Sequence, residues 1–218
     1  LGEFAAGATG CPAGSPDSIG SPQPAVKAAR TRPDFAIAKT RPPVLTAGQE
    51  ALTMTQSPVI RLTDLTLSPQ HHGTRFEAAM AAIAAPLGAT HLGARLVEVP
   101  PGKAAWPFHS HHANDEMFVI LSGTGTLRFG PESHAVAAGM VAVCPAGGAE
   151  TAHQLTATGD QPLRYLAIST MREPDVMEYP DSGKITVFAG AAPGGDKAAR
   201  RIAASFLQED AVDYWEGE

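Results

Sequence analysis

The densest run of ligand-type side chains in the sequence is Phe108-His109-Ser110-His111-His112-Ala113-Asn114-Asp115-Glu116-Met117-Phe118. In an extended strand, residues two apart project to the same face. His109 and His111 therefore share one side, while Ser110 and His112 point away. Imidazoles converging in this way can hold a metal, at about 2.0–2.1 Å if the ion is zinc. Glu116 follows across a turn-prone Ala-Asn-Asp and opens the apolar run MFVILSG, whose inward face can return a carboxylate to the same point. A fourth donor must come from elsewhere. His153 is the best candidate, because it lies in TAHQL after a glycine-rich turn. Spacing alone leaves a rival open. A histidine on an apolar face is more often a hydrogen-bonded core residue than a ligand, and three clustered histidines can also be a surface feature or the remnant of a tag.

Other residues offer weaker chemistry. Glu150, in the turn before His153, is a candidate catalytic base, against the plainer reading of a solvated turn carboxylate. Asp115 competes with Glu116 as ligand, but Glu116 has the matching spacing. Arg95 and Arg128 lie in strand-like segments and could bind a substrate carboxylate or phosphate, or equally face solvent. His71-His72 and His134 sit in polar turns and read as surface. Cys144, in an apolar strand, reads as a small core residue.

The elements that must position these groups are short. From residue 57 onward, apolar runs alternate with turn signals every eight to twelve residues, the mark of a sandwich or barrel. Strands are expected at Val59–Leu62, Leu92–Val99, Phe118–Ser122, Gly125–Phe129, Val141–Cys144, Ala152–Leu155, Leu163–Thr170 and Lys184–Phe188. Pro100-Pro101-Gly102, Ser122-Gly123, Gly130-Pro131, Pro145–Gly148 and Gly159-Asp160 supply turns between them. Arg75–Ala85 is balanced between helix and strand, and Asp196–Phe206 reads as a short helix. Residues 1–56 hold seven prolines, six glycines and only Phe4 and Phe35 as aromatics, with no sustained period. The expectation is a disordered or cloning-derived tail, with the natural start near Met54; the rival is an arm that docks on a partner subunit.

Composition narrows the classes. A hydrophobic fraction of 44% with 17% charged residues describes a globular chain with a real core. The net charge of −6 argues against nucleic acid as a main partner, since phosphate binding needs a surplus of Lys and Arg. No run of about 18 apolar residues exists, so no membrane-spanning helix is expected. Two cysteines, Cys11 and Cys144, rule out a disulfide framework and fit a reducing, cytoplasmic compartment.

The segment Gly102…His109-x-His111-x4-Glu116-x6-Gly123 resembles the first motif of the cupin superfamily, and Gly139-x5-Pro145-x-Gly147…His153 resembles the second. The likeness is detailed over residues 92–170. More loosely, it extends over 57–218 to bacterial single-domain cupins, some carrying a provisional sugar-phosphate isomerase label. It implies an all-β fold, a double-stranded β-helix or jelly-roll barrel with minor helical segments. It also implies His109, His111, Glu116 and His153 as ligands of one divalent ion (Zn, Mn, Fe, Ni or Co). Three departures stand out: six residues rather than five between Gly102 and His109, five rather than two between Gly147 and His153, and Ala157 in place of the usual Asn. The first two change loop lengths and the third removes a structural hydrogen bond, so the ligand set is intact.

Three imidazoles and one carboxylate leave coordination positions open, unlike a closed structural zinc site. The resulting expectation is a metal-dependent enzyme acting on a small oxygen-rich molecule. Isomerisation or epimerisation of a sugar or sugar phosphate comes first, by family analogy. An iron-dependent dioxygenase, a non-catalytic small-ligand-binding domain and a metal-dependent hydrolase are the alternatives. A homodimer is expected from the habit of such barrels to pair through edge strands.

Overall fold

A computed structural model of the protein describes residues 57–218. The reading of residues 1–56 as a tail, and the proposed start at Met54, lie outside that range. Thirteen strands make up the described chain: β1 (Ser68–His72), β2 (Phe76–Ala82), β3 (Leu92–Val99), β4 (Ser110–His111), β5 (Glu116–Ser122), β6 (Thr124–Phe129), β7 (Glu132–Ala137), β8 (Val141–Cys144), β9 (His153–Ala157), β10 (Leu163–Thr170), β11 (Asp175–Tyr179), β12 (Lys184–Ala189) and β13 (Ile202–Leu207). The helical segments among these residues are single 3-10 turns.

One layer is a six-stranded antiparallel sheet in the order β1-β2-β3-β10-β5-β8. The other is assembled from β13-β12-β11-β4 and β7-β6-β9. A reciprocal backbone pair joins these two pieces: His109 N–H donates to His153 O at 3.2 Å, and His153 N–H to His109 O at 2.7 Å. The sheets form the jelly roll that the motifs imply.

Alternation builds the interior. Along β9 the residues His153, Leu155 and Ala157 are buried and Gln154 and Thr156 less so, as a period of two requires. The core is one cluster that includes Val97, Val99, Phe118, Ile120, Leu127, Leu155, Leu163 and Tyr165, drawn from both layers. Full burial of such side chains contributes about 1.5–3 kcal/mol each. Register then sets a gradient along the inner face of the large sheet. Tyr165 pairs with Val97 and Ile120, Ala167 pairs with Arg95 and Phe118, and Ser169 pairs with Gly93 and Glu116. The rows pass from apolar to polar toward one end of the barrel, and the chemistry sits at that end.

Gly123 closes the β5–β6 hairpin at φ +80°, and a Cβ there would collide with the carbonyl oxygen of Pro162. Both facts demand glycine.

Two expected elements need correction, and one open alternative is resolved. Val59–Leu62 is not a strand: Val59 and Ile60 are exposed, nothing pairs with them, and Leu62–Asp64 is a 3-10 turn. Asp196–Phe206 is not a helix. Only Lys197–Ala199 turns, and Ile202–Leu207 joins the sheet because β12 offers it a ladder running from Lys184↔Leu207 to Ala189↔Ile202. The ambiguous Arg75–Ala85 resolves as β2, paired on both sides by β1 and β3. In both alanine-rich segments, ladder hydrogen bonds outweigh a helix propensity worth a few tenths of a kcal/mol per residue.

Candidate metal centre

Two local devices bring the donors together. β4 is only two residues long, but its extended backbone places His109 and His111 on one face. The loop that follows is pinned by Asn114, whose Oδ1 accepts from Arg172 N–H at 2.7 Å and from the Thr170 hydroxyl at 3.0 Å, while its amide donates to Arg172 O at 3.0 Å. That buried asparagine holds the turn from which Glu116 re-enters the barrel. The His109–His153 backbone pair sets the third imidazole beside the first, with ring centroids 4.9 Å apart.

Donor atoms of His109, His111 and Glu116 all lie within 4.8 Å of one another. His153 joins through the carboxylate, its Nε2 lying 2.8 Å from Glu116 Oε2. His111 Nε2 lies 3.8 Å from the same oxygen. Ligands of a single ion, each about 2.1 Å from it, are separated by about 3–4 Å. The two spacings about Glu116 Oε2 are near that range, while His153 lies outside the group of donors that are all within 4.8 Å of one another.

The hydrogen bonds on the far side of each ring make the stronger case. His109 Nδ1 faces Pro107 O at 2.8 Å, His153 Nδ1 faces Thr151 O at 3.1 Å, and His111 Nδ1 faces Asp175 Oδ2 at 2.7 Å. Oxygens of these kinds only accept, so each Nδ1 carries the proton and each Nε2 is left with its lone pair. For His153 that lone pair meets the Glu116 carboxylate. Two acceptors face each other at 2.8 Å, an arrangement that either a shared cation or an extra proton must reconcile. Fixing the tautomer by an outer acceptor is the usual support of metal-ligating histidine. The residues present fit a divalent ion.

Electrostatics agree. Burial lowers the His109 pKa to about 3, helped by the neighbouring His153 and His111, so this ring is neutral at ordinary pH. Burial pushes Glu116 upward, but its hydrogen bond to His153 and the nearby imidazoles prevail and bring it to about 2. A neutral His109 beside an ionised Glu116 is the protonation state a metal requires of those two ligands. Asp175 is fully buried. Desolvation raises its pKa, and the bonds from His111, Asn114 and Ala113 lower it further than that, leaving it below the usual carboxylate range.

A cavity of about 110 Å³ adjoins the cluster, lined by His109, His111 and Glu116 together with Arg95, Trp106 and Ser169 among others. Arg95 is thus beside the centre. Arg128 is not: it pairs with Asp181 at 2.8 Å and lies 3.5 Å over the Phe108 ring, outside this cavity. Glu150 does not line it either. Its carboxylate is exposed and accepts from Gly148 N–H at 2.9 Å within its own turn, which corrects the expectation of a base at the site. Asp115 accepts from Ala146 N–H and so faces away from the ligands. His112 points outward to Glu178, and Cys144 is a buried thiol that desolvation pushes up to about 12.

Sequence reasoning missed Asp175, Asn114 and Trp106. Asp175 opens DVMEY, whose period-two pattern was a legible strand signal. Nothing in the sequence ties its carboxylate to His111.

Residues 95–169 match the cupin domain profile. That stretch, about a third of the chain, carries a cupin domain. Two solved structures show the same fold. A protein from Acidithiobacillus ferrooxidans, provisionally named a sugar phosphate isomerase, is 22% identical with a TM-score of 0.59, covering 72% of this chain and 96% of its own. A cupin-superfamily protein from Silicibacter pomeroyi, named a sugar phosphate isomerase, is 19% identical with a TM-score of 0.58, covering 71% and 95%. At these identities the likeness establishes the fold. No curated protein matches the chain. Among the described residues, no helix is long and apolar enough to cross a membrane.

Proposed function

We propose that this cupin is a metal-dependent enzyme that isomerises or epimerises a small sugar or sugar phosphate, with His109, His111, Glu116 and His153 holding one divalent ion. The observation that carries the reading is the set of three imidazoles whose Nδ1 atoms are each committed to an oxygen, leaving three lone pairs around one ionised carboxylate at the mouth of a cavity. The bound ion would act as a Lewis acid toward a carbonyl or hydroxyl of the substrate. The protein's part is to orient that substrate and handle its protons. Glu116 is the sole carboxylate among the described residues lining the cavity, and in this reading it is committed to the ion. Asp175 positions His111, and the packed ring of Tyr179, 6.1 Å from that of His109, backs the cluster. The isomerase label of the two similar structures lends the reaction class by analogy only.

The test combines elemental analysis with turnover. Zinc or manganese at one per chain, with interconversion of aldose–ketose pairs that His111→Ala abolishes, is the expected result. Stoichiometric iron with oxygen uptake on phenols or diketones would instead make it a dioxygenase. Retention of an unchanged ligand without turnover would make it a binding domain. We further propose a cytoplasmic homodimer with no nucleic-acid partner. Its support is the acidic balance of the chain and the exposed Met140, Val141 and Val143 beside and along β8, an edge strand.

A further inference from the structure

Arg95 has a guanidinium beside the metal cavity and, among the described residues, no ion-pair partner. The arginine ion pairs among the described residues join Arg128 to Asp181 and Arg164 to Glu98; none involves Arg95. Of its five N–H donors, one reaches Gly194 O at 3.2 Å and another the weak acceptor Met80 Sδ at 3.6 Å. The group also lies 5.9 Å over the Trp106 ring, so its plane is braced from one side. Gly194, at φ +81°, lies so close that a Cβ would collide with Nη2. The side chain is therefore held in place, partly desolvated, with donors to spare.

Register explains where those donors can act. Arg95 pairs with Ala167, one row inward from the row holding Gly93, Ser169 and Glu116, and on the same face of the sheet. The cavity that these groups share with His109 and His111 is also lined by Pro193 and Gly194. Glu116 and Asp175 are the carboxylates at the centre. A divalent ion together with Arg95 outweighs them by one positive charge, which favours an anion in the space between.

We propose that Arg95 anchors an oxyanion group of the substrate, phosphate or carboxylate, inside the metal cavity. This rests on the reading of the cluster as a metal centre. A guanidinium presents paired N–H donors that match two oxygens of such a group, which a hydroxyl alone does not satisfy. The substrate of this protein is then an acid, bound by its anionic end at Arg95 and by its oxygen-bearing carbons near Glu116.

Trp106 provides the readout. The chain has two tryptophans, and Trp215 is 71% exposed in the C-terminal segment. Trp215→Phe thus leaves Trp106, stacked under Arg95, as the single indole. Protein carrying that change is exposed to zinc, freed of excess metal, and titrated with inorganic phosphate and separately with malonate at constant ionic strength. The expected result is a saturable change of Trp106 emission with at least one anion. Phosphate alone identifies a phosphoester substrate and malonate alone a carboxylic acid. Arg95→Gln should weaken that binding at least tenfold with zinc content unchanged. Arg95→Lys, which keeps the charge but not the fork, should weaken it less, and Arg128→Gln should leave it as it was. No saturable response to either anion, or equal binding by the Arg95 variants, overturns the proposal. Zinc content of the same samples separates the two readings. Bound zinc without Arg95-dependent anion binding removes the anchor and leaves the metal centre. Arg95-dependent binding without zinc uptake removes the metal centre and leaves the anchor.

Discussion

Asp175→Asn is the most discriminating substitution for the metal reading, because it changes one buried atom and no ligand. Asp175 is fully buried, with Oδ2 2.7 Å from His111 Nδ1 and Oδ1 accepting from Ala113 N–H at 2.9 Å. His111 and Ala113 each donate to a different oxygen, so only a group with two acceptors satisfies them both. Asparagine has one. If its oxygen turns to Ala113, its NH₂ faces His111, which must then keep a lone pair on Nδ1 and carry its proton on Nε2, where the metal should bind. If its oxygen turns to His111, its NH₂ meets the Ala113 N–H and a buried donor goes unsatisfied, at about 1–3 kcal/mol. Either orientation costs the centre. Loss of an outer carboxylate of this kind weakens metal binding by about 10–100-fold, or roughly 1.4–2.8 kcal/mol. Competition with a chromophoric chelator near neutral pH measures this directly. His112→Ala, which removes an outward-facing histidine of the same loop, is the control and should bind as the parent does. An Asp175→Asn protein with zinc affinity within twofold of the parent would mean that Asp175 does not fix the His111 tautomer, and the hydrogen-bond argument for the centre would fall with it.

Further outcomes follow from the same structure. His111→Ala should lose most of the bound metal and melt at a lower temperature, because metal binding couples to folding; unchanged metal content would remove His111 from the ligand set. In the metal-free protein, His109 titrates near 3 when folded against about 6.5 when unfolded, and Glu116 near 2 against about 4.5. Below each unfolded value the unfolded chain binds more protons. Stability should therefore be full above about pH 6.5 and fall as the pH drops toward 2, and denaturant midpoints that stay flat from pH 7 to pH 4 would contradict this. Ile120→Ala, at a side chain 1% exposed in the main core cluster, should cost about 2–5 kcal/mol in urea unfolding. Gly123→Ala forces a left-handed backbone on a side chain that also meets Pro162 O, and should cost at least about 1–2 kcal/mol with metal affinity unchanged.

What the amino-acid order determined by itself is local. Period-two alternation and turn residues marked Leu92–Val99, Val141–Cys144 and Leu163–Thr170 at their observed ends, because a strand's inward face and its bounding turns are written in neighbouring residues. The same rule put His109 and His111 on one side and His112 on the other. Pairing decided the rest. Phe76–Ala82 and Ile202–Leu207 are strands because β3 and β12 lie beside them, and no propensity in an alanine-rich run carries that information. The ladder between residues 109 and 153 brings the third imidazole to Glu116, the far end of β11 delivers Asp175 to His111, and the register of β3 with β10 sets Arg95 in the cavity while Arg128 and Glu150 stay outside it. Each is a contact between segments distant along the chain, fixed by backbone hydrogen bonds and core packing summed over whole sheets. That is why types and spacing pointed to the donors, and only the folded barrel selected what surrounds them.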